Sequence, residues 1–172
     1  MLVRCLFVFV AAIFCTDASA ESHYAYELEE VKPKFVSDGD TASISIRMYG
    51  IDTPESAQLC ERANGSCWQC GDRAERVLSG MIKNQESTFL FTGDVTYGRP
   101  VATIKIGAKD INKEMVRQGY AVVFDRFLTT AMKAEYFAAQ DEAKAAKLGI
   151  WQGEFIMPWD WRNGDRLSCE QS

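Results

Sequence analysis

Apolar and polar residues alternate along the first half of the chain in the way that predicts short strands. Residues 41–48 alternate strictly, which indicates one half-buried strand or two short ones, with Arg47 on the polar face. The apolar face, which we expect to point inward, consists of Ala42, Ile44, Ile46 and Met48. Four further segments are predicted to be extended: 31–36, 88–92, 101–106 and 121–124.

Helical spacing of apolar residues predicts about three helices, at residues 72–84, 110–118 and 130–149. Asp72 and Thr130 are the expected caps of the first and third helices, and Gly119 is expected to end the second. Short strands followed by interleaved helices predict an α+β domain, most naturally a small β-barrel with the helices packed against it.

The first twenty residues have the organisation of a signal peptide. Arg4 precedes an apolar run at residues 5–15, and Ala18-Ser19-Ala20 suits a peptidase that cuts after Ala20. A retained membrane anchor is the alternative, although the run is short for a membrane span. We therefore expect residues 21–172 to form a single exported domain, secreted or periplasmic and not bound to a membrane, with a tryptophan-rich C-terminal tail.

Four cysteines remain after removal of the signal peptide: Cys60, Cys67, Cys70 and Cys169. In an exported chain this number favours two disulfides, and the spacing alone leaves all three pairings open. Zinc binding by Cys67 and Cys70 is the alternative, but it would need Cys169 or the distant His23 to complete the ligands.

Charge and histidine content restrict the chemistry. The net charge of −5 argues mildly against nucleic-acid binding, unless arginines converge in one cleft or a metal ion adds positive charge. His23 is the only histidine and lies near the expected mature N-terminus, so paired-histidine hydrolysis and a Ser-His-Asp triad are excluded. Catalysis would then depend on carboxylates, arginines or a metal ion.

Carboxylates and arginines with suitable chemistry lie in the first two thirds of the chain. Asp40 and Asp52 are oxygen ligands of the kind that Ca²⁺ or Mg²⁺ prefers, although Asp40 also lies in an ordinary turn sequence. Arg47 and Arg99 can donate paired hydrogen bonds to phosphate. Glu55 would accept a proton from an attacking water while the arginines stabilise the charge that grows on the phosphate.

The order of these motifs resembles the staphylococcal nuclease (thermonuclease) family, in its secreted bacterial form. The matching segments, in chain order, are Asp38-Gly39-Asp40-Thr41, Arg47, Ile51-Asp52-Thr53-Pro54-Glu55, Tyr97-Gly98-Arg99, Asn112, Val116-Arg117-Gln118-Gly119-Tyr120-Ala121 and Leu148-Gly149-Ile150-Trp151. The resemblance implies an OB-fold barrel with three helices. It also implies Ca²⁺-dependent cleavage of DNA and RNA that leaves 3′-phosphate ends.

The resemblance also assigns roles to residues. It implies that Asp40, Asp52 and the backbone carbonyl of Thr53 bind one Ca²⁺ ion. Arg47 and Arg99 would bind and stabilise the phosphate, and Glu55 would be the general base.

The resemblance further implies a disulfide between Cys60 and Cys70, which leaves Cys67 and Cys169 for a second one. The sequence departs from the family between Thr41 and Arg47, where five residues replace the usual pair of strands. Either this hairpin is very short or one strand is missing, and Asp40 would then lie away from Asp52.

Three functions are compatible with these observations. The first is an active, monomeric nuclease that acts on single-stranded or duplex DNA or RNA. The second is a nuclease-like OB-fold module that binds nucleic acid or a protein partner with little or no cleavage. The third is an accessory role in export or in envelope polysaccharide biosynthesis. The combination of Arg47, Glu55 and Arg99 favours the first function, because a binding module has no need of the acid.

Overall fold

A computed structural model describes residues 33–170 of the protein. The predicted signal peptide, its cleavage after Ala20 and the first residues of the expected mature chain lie outside the described residues. Within the described part of the chain, no helix is long and apolar enough to cross a membrane.

Within residues 33–170 the fold contains ten strands and four α-helices. In chain order the strands are β1 (Pro33–Val36), β2 (Ala42–Ile44), β3 (Arg47–Met48), β4 (Ile51–Asp52), β5 (Leu59–Glu61), β6 (Cys67–Gln69), β7 (Thr88–Thr96), β8 (Arg99–Ile106), β9 (Lys109–Asp110) and β10 (Val122–Val123). The helices are α1 (Cys70–Ile82), α2 (Ile111–Arg117), α3 (Thr130–Ala145) and α4 (Pro158–Arg162). The α+β class expected from the sequence is therefore observed.

The described strands form four separate sheets and not a closed barrel. The largest sheet has the order β3-β8-β7, with β3 parallel and β7 antiparallel to β8, and β9 also pairs with β8. The other sheets are the pairs β1-β2, β4-β10 and β5-β6. An OB-fold is what the resemblance implies, but the hydrogen-bonded ladders seen here do not close around a barrel.

The alternating segment at residues 41–48 forms two short strands, one of the two predicted outcomes. In β2 the inward face is the opposite of the predicted one, because Ser43 is half-buried while Ile44 is 43% exposed. The reason is that β2 pairs with β1 and does not join the main sheet. In β3, by contrast, Met48 packs against the core as expected.

The helices differ from the sequence predictions at their ends. Helix α1 begins at Cys70, so Asp72 lies in its first turn and the prediction that Asp72 is the cap was wrong. Helix α3 ends at Ala145, before the predicted Gly149, because Lys147 adopts a left-handed backbone conformation with φ of 51°. The five-residue helix α4 was not predicted.

One disulfide and aromatic contacts hold the C-terminal tail, residues 153–170, against the body. Cys60 pairs with Cys70 and Cys67 pairs with Cys169, as the resemblance implied, so the zinc reading was wrong. The tail's Trp159 packs on Phe124 with ring centroids 6.2 Å apart. The prediction that the tail tryptophans pack onto the domain is confirmed for this residue.

Candidate active site

A cleft of about 910 Å³ opens between β3, β4, the tip of the β7-β8 hairpin and α4. The charged residues that line it are Arg47, Arg99, Arg126, Arg162, Asp52, Glu55 and Asp94. Four arginines and three carboxylates give the cleft a formal charge of +1, in a chain whose net charge is −5. The overall acidity therefore does not prevent this surface from attracting an anion.

Arg47 and Arg99 reach the cleft from neighbouring strands. In the parallel pairing of β3 with β8, Arg47 is opposite Val101, and Arg99 lies two residues earlier on β8 and so on the same face. Standard strand spacings place their Cα atoms about 8 Å apart. The hairpin turn at Tyr97 and Gly98 has φ of 52° and 74°, the geometry of a tight two-residue turn, and it sets where Arg99 begins the strand.

Asp52 and Glu55 are held by the backbone at the end of β4. Asp52 is 8% exposed and pairs with Val122 of β10. The fully buried Gln58 fixes the backbone of Glu55 with two hydrogen bonds. The side-chain Oε1 of Gln58 accepts from the Glu55 N–H at 3.1 Å, and the backbone N–H of Gln58 donates to the Glu55 carbonyl at 2.7 Å. Gly71 of α1 lies so close to the Glu55 carbonyl that a side chain there would overlap it.

Arg162 is a site residue that the sequence analysis missed. Its Nη2 donates to Asp52 Oδ2 at 2.5 Å, and its Nη1 donates to Asp52 Oδ1 at 3.3 Å and to Glu55 Oε1 at 2.5 Å. The hydrogen bond to Asp52, helped by the one to Glu55, raises the pKa of Arg162 although its partial burial opposes this. Both carboxylates therefore share one fixed positive charge.

Asp40, in contrast, is not among the residues that line the cleft. It lies in an exposed turn, where its N–H donates to Asp38 Oδ1 at 3.3 Å and its own Oδ1 accepts from the Thr41 hydroxyl at 3.1 Å. The hydrogen bonds with Asp40 and Thr41 lower the pKa of Asp38. Only β2 separates this turn from β3, so one strand of the usual hairpin is missing, and the turn joins the two strands of the separate β1-β2 sheet.

The arrangement of these side chains does not fit a calcium ion held by Asp40, Asp52 and Thr53. Asp52 and Thr53 line the cleft, Asp40 does not, and both Asp52 oxygens accept hydrogen bonds from Arg162. Calcium takes six to eight oxygen ligands. Within residues 33–170, no group of three or more acidic, histidine or cysteine side chains is arranged to hold a metal ion.

An α+β domain with paired arginines and carboxylates in one cleft has the chemistry of a protein that binds phosphate esters. The chain belongs to the family of staphylococcal nuclease homologues, whose family model matches residues 45–153. The resemblance recognised from the motifs is thereby confirmed.

Curated relatives share about three tenths of their aligned residues with this chain. The succinoglycan biosynthesis protein ExoI of Rhizobium meliloti is 32% identical over 69% of the chain and 63% of its own length. An uncharacterized endonuclease of Haemophilus influenzae is 28% identical over 77% and 72%. The probable endonuclease LCL3 of Pyricularia oryzae is 29% identical over 74% and 52%. The chain thus spans between about half and three quarters of these relatives.

The family match excludes two residues discussed above. Asp40 precedes the matched segment and Arg162 follows it, whereas Arg47, Glu55 and Arg99 all lie inside it. The segment matched by the family model therefore contains Arg47, Glu55 and Arg99 but not Arg162.

Proposed function

We propose that the protein is a nuclease that hydrolyses phosphodiester bonds of DNA or RNA. The observation that supports this most directly is that Arg47, Arg99 and Glu55 line the same cleft. Two of the relatives described above carry the name endonuclease, which favours the same reaction.

In this proposal each residue acts through chemistry that its side chain provides. Arg47 and Arg99 bind the non-bridging phosphate oxygens with paired N–H donors, and they stabilise the additional negative charge of the transition state. Glu55 accepts the proton of the attacking water. Arg162 keeps the Glu55 carboxylate oriented within the cleft, because its Nη1 donates to Glu55 Oε1 at 2.5 Å.

Calcium dependence remains a prediction from the family resemblance, with Asp40, Asp52 and Thr53 as the implied ligands. Because Asp40 lies outside the cleft and both Asp52 oxygens accept from Arg162, the proposal gives the ion no catalytic step. Activity with added Ca²⁺ and with a chelator tests this part separately from the roles of the arginines.

We also propose that the protein acts outside the cytoplasm, in the periplasm or the medium, as a monomer. Two disulfides support an oxidising compartment. The supposed signal peptide at residues 1–20 is consistent with it. Mass spectrometry of the N-terminus of the exported protein tests the cleavage after Ala20.

The central experiment measures cleavage of single-stranded DNA by the purified, disulfide-intact protein. Replacing Glu55 with glutamine should lower the rate by about 10²–10⁴-fold, the usual contribution of a general base. Glu75→Gln is the matched control, because Glu75 is exposed on α1 and contacts the neighbouring Ser56 at 3.4 Å. A Glu55→Gln variant with the wild-type rate would show that Glu55 is not the base.

The non-cutting alternative is favoured by one observation, the engagement of both carboxylates by Arg162. It predicts that wild-type protein binds single-stranded DNA without cutting it.

The accessory role in polysaccharide biosynthesis is supported only by the name of the Rhizobium meliloti relative. We prefer the nuclease because paired arginines beside an acid suit a phosphodiester better than a neutral sugar.

A further inference from the structure

Arg162 occupies a position between two carboxylates of the cleft that the proposed reaction does not require. Its guanidinium lies between two carboxylates and donates to both, with the shortest contacts at 2.5 Å. The Asp52 side chain is only 9% exposed, whereas those of Arg162 and Glu55 are 38% and 39% exposed. The Arg162 charge thus compensates a nearly buried Asp52 and a more accessible Glu55.

The tail holds Arg162 in place from both sides. Before it, the buried Gln58 donates its side-chain N–H to the Ile156 carbonyl at 2.6 Å. After it, Cys169 is bonded to Cys67, and Glu170 accepts from the Leu59 N–H at 2.8 Å. Arg162 is therefore positioned by several attachments and not by its own ion pairs alone.

A cation bound by Asp52 would need the oxygens that this guanidinium already uses. Both Asp52 oxygens accept from Arg162, at 2.5 and 3.3 Å. A divalent ion on these oxygens would lie only a few ångströms from the Arg162 guanidinium, and like charges at that distance in a partly buried site repel strongly. A divalent ion that binds Asp52 must therefore either displace Arg162 or overcome its repulsion.

From this geometry we infer that Arg162 is a built-in counter-ion of Asp52 and Glu55 that competes with divalent cations for Asp52. The tail thereby weakens metal binding at this cleft. The inference depends on the proposed function only in using Ca²⁺ as the probe ion. It concerns binding, so it can be tested without any cleavage assay.

The test is calorimetric titration of CaCl₂ into the wild-type protein and into Arg162→Gln. We expect the variant to bind Ca²⁺ at least about tenfold more tightly, a difference of about 1.4 kcal/mol. Arg126→Gln is the matched control, because it removes one positive charge from the lining of the same cleft. The cationic group of Arg126 lies over the Phe127 ring, 5.5 Å from the centroid, and the ion pairs of Asp52 and Glu55 are made by Arg162. Loss of Arg126 should therefore change the affinity by only about twofold, because its charge acts on the ion through solvent.

A second measurement covers the case in which Arg162→Gln folds poorly. Ca²⁺ should raise the melting temperature of that variant more than it raises that of wild type. A ligand that binds only the folded state stabilises it by RT ln(1 + L/Kd), where L is the free ligand concentration, and this is larger for the tighter binder. Arg162→Lys, which keeps the charge but cannot bridge two carboxylates with a planar fork, should give an intermediate affinity.

Three results would overturn the inference. They are an unchanged or weaker Ca²⁺ affinity of Arg162→Gln, an equal gain in Arg126→Gln, or no binding of Ca²⁺ by any variant. Failure of the proposed function would appear differently, as wild-type protein that leaves DNA intact whatever its Ca²⁺ affinity.

Discussion

Replacing Asn112 with alanine should destabilise the protein by about 3 kcal/mol, because this buried amide joins the strands that carry the two site arginines. Asn112 is fully buried at the start of α2. Its Oδ1 accepts from the Ile104 N–H at 3.1 Å, and its Nδ2 donates to the carbonyls of Tyr49 at 3.0 Å and Ala102 at 3.1 Å. Tyr49 follows β3, and the other two partners belong to β8.

The magnitude follows from the partners that would be lost. Ala102 keeps a hydrogen bond from the Tyr49 N–H at 2.8 Å, so its carbonyl remains satisfied. The Ile104 N–H and the Tyr49 carbonyl would each lose the partner described here. An unsatisfied buried polar group costs about 1–3 kcal/mol, which gives about 2–6 kcal/mol for the pair, and water entering the vacated space favours the lower half of that range.

Urea unfolding followed by tryptophan fluorescence measures this loss. Asn163→Ala, a substitution at an exposed position, is the control and should stay within about 0.5 kcal/mol of wild type. We also expect weaker DNA cleavage, because Arg47 lies two residues before Tyr49. A loss below about 1 kcal/mol for Asn112→Ala, with an unchanged denaturant slope, would refute this account of the amide.

Two further predictions concern the supports of Glu55 and of the tail. Gly71→Ala should reduce DNA cleavage by about 10–100-fold, because the new methyl group displaces the Glu55 backbone. Gly80→Ala is the control on the same helix: its methyl group enters open space, and it should stabilise α1 by about 0.5–1 kcal/mol. Equal activities of the two variants would contradict this. Replacing Cys67 and Cys169 together with serine should lower the unfolding free energy by about 2–5 kcal/mol, since this disulfide spans 102 residues. A loss below about 1 kcal/mol in urea unfolding would show that the bridge contributes little.

Local patterns in the sequence predicted the elements whose structure depends on local interactions. The second predicted helix begins where expected, since the Asp110 side chain caps it by accepting from the Lys113 N–H at 3.0 Å. Gly119, with φ of 73°, ends it as expected. Strand β7 is longer than predicted and continues to Thr96, because pairing with β8 across the hairpin adds residues that have little apolar character of their own.

The features that escaped prediction depend on contacts between distant residues. Arg162 reaches Asp52 across 110 positions of sequence, and no local spacing links the two. The position of Asp40 likewise depends on whether β2 joins the main sheet, and alternation of residues does not reveal which partner a strand chooses. The sequence therefore predicted which types of side chain line the cleft better than which of these side chains contact one another.

The C-terminal location of Arg162 affects how fragments of this protein would behave. The family match ends at residue 153, a natural place to cut a recombinant version. Such a fragment would retain Arg47, Arg99 and Glu55, but Asp52 would lack its guanidinium partner. Any salt or metal dependence measured on this fragment would describe a more negatively charged cleft than that of the full chain, and it would not transfer to the whole protein.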